Sequence, residues 1–183
     1  GGAAPYTYEW AELPSLVNWP VSLDQQDLNN GVMTETNATV MINLDSDQML
    51  LNGSPLETGD VIGAFYEENG QYICAGFVVW DSSDMPPAAL TLLGAGSNGY
   101  GFQVEGELNL FALDSSTGLT HQADNIIWNT SANWTDGSNG YYPNGLYQIF
   151  AMSFSEYDTE GEVFATAEDL IELSAGTYSV TAT

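Results

Sequence analysis

Two glutamates and a set of turn aspartates are the side chains with most chemistry to offer. Glu105 and Glu107 stand two apart in Phe102-Gln-Val-Glu-Gly-Glu-Leu-Asn-Leu-Phe-Ala-Leu113. Read as one long strand with a bulge at Gly106, this run puts both carboxylates on one face, about 6–7 Å apart. That spacing falls between those of retaining and inverting glycosidases. The chain has no Lys or Arg and one His to tune or orient such a pair, so the glutamates read as a solvent-facing strand edge, or one of them as needed for local turn geometry, and the protein as a non-enzyme. His121 has no evident nucleophile partner and is expected at the surface or a strand end. Cys74 is the only cysteine. It can form no disulfide within the chain, and it reads as a buried core thiol rather than a reagent, because a reactive thiol needs an electropositive setting.

Calcium is the better prospect among cofactors. Asp45, Asp47, Asp60, Asp81, Asp84, Asp114, Asp124 and Asp136 fall mostly in turn-like stretches, where carboxylates and carbonyls can converge on a cation that takes six to eight oxygens. Asp45-Ser-Asp47 begins like a calcium loop, and Asp136-Gly-Ser-Asn-Gly140 is similarly partial, so Asp45, Asp47 and Asp136 are the candidate ligands. The polar run from Asn129 to Gly145 carries Trp134, Tyr141 and Tyr142 just after Trp128. A loop this long is usually functional. These four rings are expected either as a sugar-stacking platform or as aromatics folded over the end of the domain. Asn37-Ala-Thr39, Asn129-Thr-Ser131 and Asn133-Trp-Thr135 fit the N-glycosylation pattern, with the Asn129 to Thr135 stretch the preferred site.

Charge excludes several functions. The chain of 183 residues has 25 Asp and Glu against no Lys or Arg, a formal net charge of −25. It has no basic side chain with which to neutralise nucleic-acid phosphates or anionic lipid. Copies repel one another, so self-assembly needs salt, divalent cations or strong apolar and backbone pairing. A chain without Lys or Arg also offers trypsin-type proteases no site. These traits fit an extracellular or saline setting. No apolar run reaches the roughly 18 residues that cross a bilayer, so no membrane insertion is expected. The opening Gly1-Gly2-Ala3-Ala4, without Met, reads as a processed start or an excised fragment.

The elements that must position these residues are strands. A hydrophobic content of 44% with 12% aromatics is that of a folded domain. Gly59–Phe65 and Tyr72–Trp80 are two near-continuous apolar runs around Asn69-Gly70, a strong hairpin signal. Their lack of alternation predicts strands covered on both faces, at the centre of the fold. Further strands are expected over 37–44, 88–93, 120–128 and 146–154, with Asn52-Gly53-Ser54-Pro55 as a loop. No convincing helix longer than one or two turns and no internal repeat is present. Nine to eleven short strands between turn signals predict an all-β fold, a β-sandwich of jelly-roll-like or Ig-like type with extended terminal strand arms.

The expected division is an N-terminal arm over 1–23, a sandwich over 24–155 and C-terminal strands over 156–183. Tyr6, Tyr8 and Trp10 alternate with Thr7, Glu9 and Ala11, which predicts an aromatic strand that pairs within the domain or on a neighbouring subunit. Tyr178, Val180 and Ala182 alternate with Thr177, Ser179 and Thr181 in the tail. Tyr6, Tyr8, Trp10, Tyr178 and Val180 are therefore the candidate assembly residues.

The pattern Gly59-Asp60-Val61-Ile62-Gly63-Ala64-Phe65, then Cys74-Ala75-Gly76 with Trp80, then Gly101-Phe102 with Gly106-Glu107, resembles a module of very large secreted surface proteins of gliding-type bacteria. Ile171-Glu-Leu-Ser-Ala-Gly-Thr-Tyr-Ser-Val-Thr-Ala-Thr183 is similar to the end of gliding-adhesin repeats. The resemblance implies a secreted surface or adhesive role and carries over no catalytic residue. The expected function is a secreted structural subunit of an extracellular filament or surface assembly, joined to copies of itself by β-strand addition. The alternative is a cell-surface adhesin or carbohydrate-binding module that recognises surface glycans through the aromatic 128–142 loop.

Overall fold

A computed structural model describes residues 9–12, 17–20, 36–43, 46–81, 88–96, 99–157 and 178–181. In chain order the strands are β1 (Glu9–Glu12), β2 (Val17–Asn18), β3 (Asn37–Ile42), β4 (Met49–Leu51), β5 (Ser54–Pro55), β6 (Val61–Glu68), β7 (Gln71–Val79), β8 (Ala88–Leu93), β9 (Asn109–Leu113), β10 (Thr120–Trp128), β11 (Leu146–Glu156) and β12 (Tyr178–Thr181). The described residues hold no α-helix, only single 3-10 turns at Ser46–Gln48 and Gly137–Asn139. The protein is all-β, as its turn-punctuated apolar runs predict.

The chain divides into two units, one of residues 17–157 and one made from the two ends. The larger unit is a curled sheet in the order β2-β7-β6-β9-β10-β11-β3-β8, with β4 beside β11 and β5 beside β4. This arrangement is compatible with a β-sandwich. Although β7 and β8 stand near opposite ends of that order, they lie against each other. Gly76 of β7 makes the approach possible, since a Cβ there would overlap the carbonyl oxygen of Thr91 on β8. The expected N-terminal arm over 1–23 loses Val17 and Asn18 to this unit, because they pair in parallel with Tyr72 and Ile73.

The β6–β7 hairpin forms as its composition predicts, but it lies toward one end of the strand order, with only the two-residue β2 beyond β7, rather than at the middle of the sheet. Asn69 and Gly70 both take positive φ, 54° and 77°, as a two-residue turn that follows the strand twist requires. Val61 to Phe65 are buried without interruption, because β7 and β9 flank β6 and side chains pack on both of its faces. Asn52 and Gly53, read from sequence as loop, make a second such turn, with φ of 50° and 79°, between β4 and β5. On β11 the buried positions step from Tyr147 and Ile149 to Met152 and Phe154. The change of phase coincides with a register shift opposite Ile127 and Trp128, where an extra residue turns the strand over.

The expected long strand from Phe102 to Leu113 is not formed. Only β9, Asn109–Leu113, is strand, and Phe102 makes an isolated parallel bridge to Gly94. Between them the chain turns, with Gly106 N–H donating to the Gln103 carbonyl at 2.9 Å. Glu105 adopts φ 63°, left-handed backbone incompatible with a strand. The two glutamates therefore do not share a strand face.

In the smaller unit β1 and β12 form an antiparallel ribbon, with Trp10 opposite Val180 and Glu12 opposite Tyr178. Tyr6 and Tyr8 lie outside the described residues, as do residues 158–177.

Candidate functional site

The turn that carries Glu105 is stitched to the long loop. Glu105 N–H donates to the Tyr141 carbonyl at 2.7 Å, and Tyr141 N–H returns a bond to Gly106 at 2.8 Å. Gly140, at φ 87°, passes so close to the Glu105 and Gly106 carbonyls that a side chain there would strike them. The loop is also held from behind. The Tyr147 hydroxyl accepts from Tyr142 N–H at 2.6 Å and donates to the Gly140 carbonyl at 3.1 Å. Asp136 caps the Gly137–Asn139 turn, accepting from Ser138 N–H at 3.0 Å and from its hydroxyl at 2.7 Å. Gly137 lies directly on the Trp128 indole, where a Cβ would sit 2.5 Å from ring carbons.

Between turn and loop is a cleft of about 380 Å³ lined by Glu105, Glu107, Leu108, Ile126, Trp128 and residues 137–140. Glu105 and Glu107 are exposed, and Leu108 is buried. The Tyr142 hydroxyl donates to Glu105 Oε1 at 3.3 Å. Desolvation and the neighbouring Glu105 carboxylate raise the Tyr142 phenol above its ordinary value, which keeps it a donor.

The four aromatic candidates for sugar stacking do not form one platform. Tyr141 is buried, stacked on Phe102 with ring centroids 5.6 Å apart. Trp128 meets Tyr147 edge-on and is covered on one side by Gly137. Trp134 and Tyr142 are half-buried. Of these rings only Trp128 lines the cleft. The aromatics fold back over the end of the domain because the loop has its own apolar demand to bury.

Of the candidate calcium ligands, Asp45 lies outside the described residues, Asp47 is exposed within the Ser46–Gln48 3-10 turn, and Asp136 is committed to its cap. The described residues contain no group of three or more acidic, His or Cys side chains placed to hold a metal ion. Among the glycosylation candidates, Asn37 and Asn133 are exposed. Asn129 instead donates its amide to Gln148 at 2.6 Å and accepts from Ser131 N–H at 3.0 Å.

His121 lies at a strand end, one of its two expected places, but its burial is not evident from the sequence. It stands near the start of β10, yet it is 1% exposed, and neither ring nitrogen has a hydrogen-bond partner. Cys74 is the buried thiol its sequence setting predicts. Burial pushes it up to about 12. Asp60, grouped by sequence with the turn aspartates, is buried and accepts bonds from Glu57 N–H and from Ser115. Its position directly before a continuous apolar run is the signal that distinguishes it from the others.

The second candidate site is the β1–β12 ribbon, in which each strand is paired on one edge only among the described residues. A two-stranded ribbon is marginal by itself in water, and its free edges present backbone donors and acceptors to a further strand. Compared with protein families, with curated proteins and with solved structures, the chain matches none.

Proposed function

We propose that this protein is a non-enzymatic structural subunit of a secreted or surface assembly, joined by β-strand addition at its terminal ribbon. The observation that carries the reading is the pairing of β1 with β12, two strands from opposite ends of the chain, in a unit separate from the main sheet. The same register is available between copies, with β1 of one subunit against β12 of the next, and the outer edges can accept further strands. Backbone pairing is indifferent to side-chain charge, so it suits subunits of net charge −25. Salt or calcium would lower their mutual repulsion.

Deletion of residues 1–12 removes β1 and leaves residues 17–157 with their own core. The truncated protein is expected to remain a folded monomer, while the full chain forms filaments or sheets under electron microscopy with salt or calcium present. Filaments from the truncated chain would rule out strand exchange through β1.

A further inference from the structure

The cleft between the Glu105 turn and the Gly137–Asn139 turn has a chemistry that the assembly reading does not use. Its rim carries two carboxylates, Glu105 and Glu107, and the polar side chains of Ser138 and Asn139, while the backbone N–H groups of 138–140 are already bonded. Ser138 spends both its N–H and its hydroxyl on Asp136. The N–H groups of Asn139 and Gly140 bond to the carbonyls of Asp136 and Gly137. Glu105 and Glu107 face the opening, and Glu105 has one neutral donor, Tyr142. The chain has no Lys or Arg to neutralise either carboxylate, and its one histidine, His121, is buried and does not line the cleft. The walls are apolar, formed by Leu108, Ile126 and Trp128.

Glu105 is also held where a glutamate is unfavourable. Among the described residues the other positive-φ positions are all Asn or Gly, and Glu105 alone carries a longer side chain. Left-handed backbone is unfavourable for a residue with a Cβ. The backbone of this turn is clamped by Tyr141, and that clamp brings the carboxylate to the mouth of the cleft.

We propose that the cleft binds the side chain of a lysine on another protein. An ammonium has a positive charge and three donors, the complement of the two rim carboxylates. Its methylene stem can lie along Leu108 and Ile126, and its charge is favoured beside the Trp128 ring. Two carboxylates are too few oxygens for calcium, and a neutral sugar can donate hydroxyls to the rim but brings no charge to pair with it. The partner is a different protein, since copies of this chain contain no lysine. The surrounding negative field steers a basic partner toward the cleft.

The test uses the full chain and a Gly-Lys-Gly peptide blocked at both ends, followed by NMR titration at low and high salt. The expected result is movement of the Gly137, Gly140 and Trp128 indole N–H signals. Binding should weaken with salt and fall about tenfold in the double variant Glu105→Gln/Glu107→Gln. Glu67→Gln/Glu68→Gln, at the exposed β6–β7 turn, removes the same charge elsewhere and should bind as the parent does. Glu107→Gln alone serves if the double variant melts early. Removal of residues 1–12 should leave peptide binding intact, which separates this site from the ribbon. The proposal fails if the peptide moves none of these signals, or if Nε-acetyl-lysine peptide or glucose binds equally well. It also fails if both double variants weaken binding alike.

Discussion

Ser115, 55 residues beyond Asp60, donates both its backbone N–H and its hydroxyl to Asp60 Oδ1, each at 3.0 Å. Glu57 N–H donates to Oδ2 at 2.8 Å. A buried carboxylate is thus satisfied by three neutral donors in a chain with no Lys or Arg to pair it. It ties the entry of β6 to the turn after β9. Replacement by Ala removes the acceptor of two N–H groups and a hydroxyl that now tie two loops together. Asp60→Ala is expected to lose about 3 kcal/mol in urea unfolding, and Ser115→Ala about 1 kcal/mol.

The contact of Gly76 with β8 leaves no room for a methyl group against the Thr91 carbonyl, which is backbone and cannot swing aside. Gly76→Ala should destabilise the large unit by about 2–3 kcal/mol. Gly53→Ala, where nothing lies within 4 Å of the added carbon, should cost only the strain of its positive φ, about 1 kcal/mol. Thermal melts of the two variants compare them directly.

Cys74 is held as a thiol by burial, which pushes it up to about 12. Iodoacetamide should leave the native protein unmodified at neutral pH and label it once in denaturant, as read by intact mass. Rapid labelling of folded protein would show that β7 opens locally.

Tyr100 donates to the Cys74 carbonyl at 2.6 Å and is pushed up to about 12 by burial, with added repulsion from Cys74 and Tyr66. A phenol raised in the folded state contributes stability that is complete below its unfolded value of 10.0 and is lost as pH rises toward about 12. Urea midpoints should fall across that window, and Tyr100→Phe should flatten this part of the dependence. At the acid end, hydrogen bonds from Ser116 hold Asp114 at about 2. Its contribution is present above its unfolded value of 3.8 and disappears as pH falls to about 2. NMR titration of Ser116→Ala should move Asp114 back toward 3.8.

His121 buries two nitrogens without partners. His121→Leu keeps an apolar group of similar size and removes polar atoms that burial penalises. It should be at least as stable as the parent, by about 1 kcal/mol in urea unfolding. A loss of several kcal/mol would reveal a partner for the imidazole in solution.

The all-β class, the β6–β7 hairpin, the buried thiol and most strands of the large unit were legible because they rest on short-range rules. Asn69-Gly70 sets a turn through the φ its two residues tolerate, and unbroken apolar runs require cover on both faces. Phe102–Leu113 misled because its alternation satisfies a strand, while the left-handed backbone at Glu105 is stabilised by Tyr141, far away in the chain. Tyr141, read as a loop aromatic, is buried by Phe102 for the same reason. His121 shows no local sign of burial, since what encloses it comes from other strands.

By itself, then, the sequence determined what the protein is made of: strands, their turns, a core and a surface that carries only negative charge. Pairing between distant segments was decided in three dimensions. Only the tertiary structure joins β1 to β12, closes β7 onto β8 at Gly76, and brings Glu105 and Glu107 to one cleft with Trp128. Local propensity acts over a few residues, whereas these contacts depend on which surfaces the folded sheet brings together.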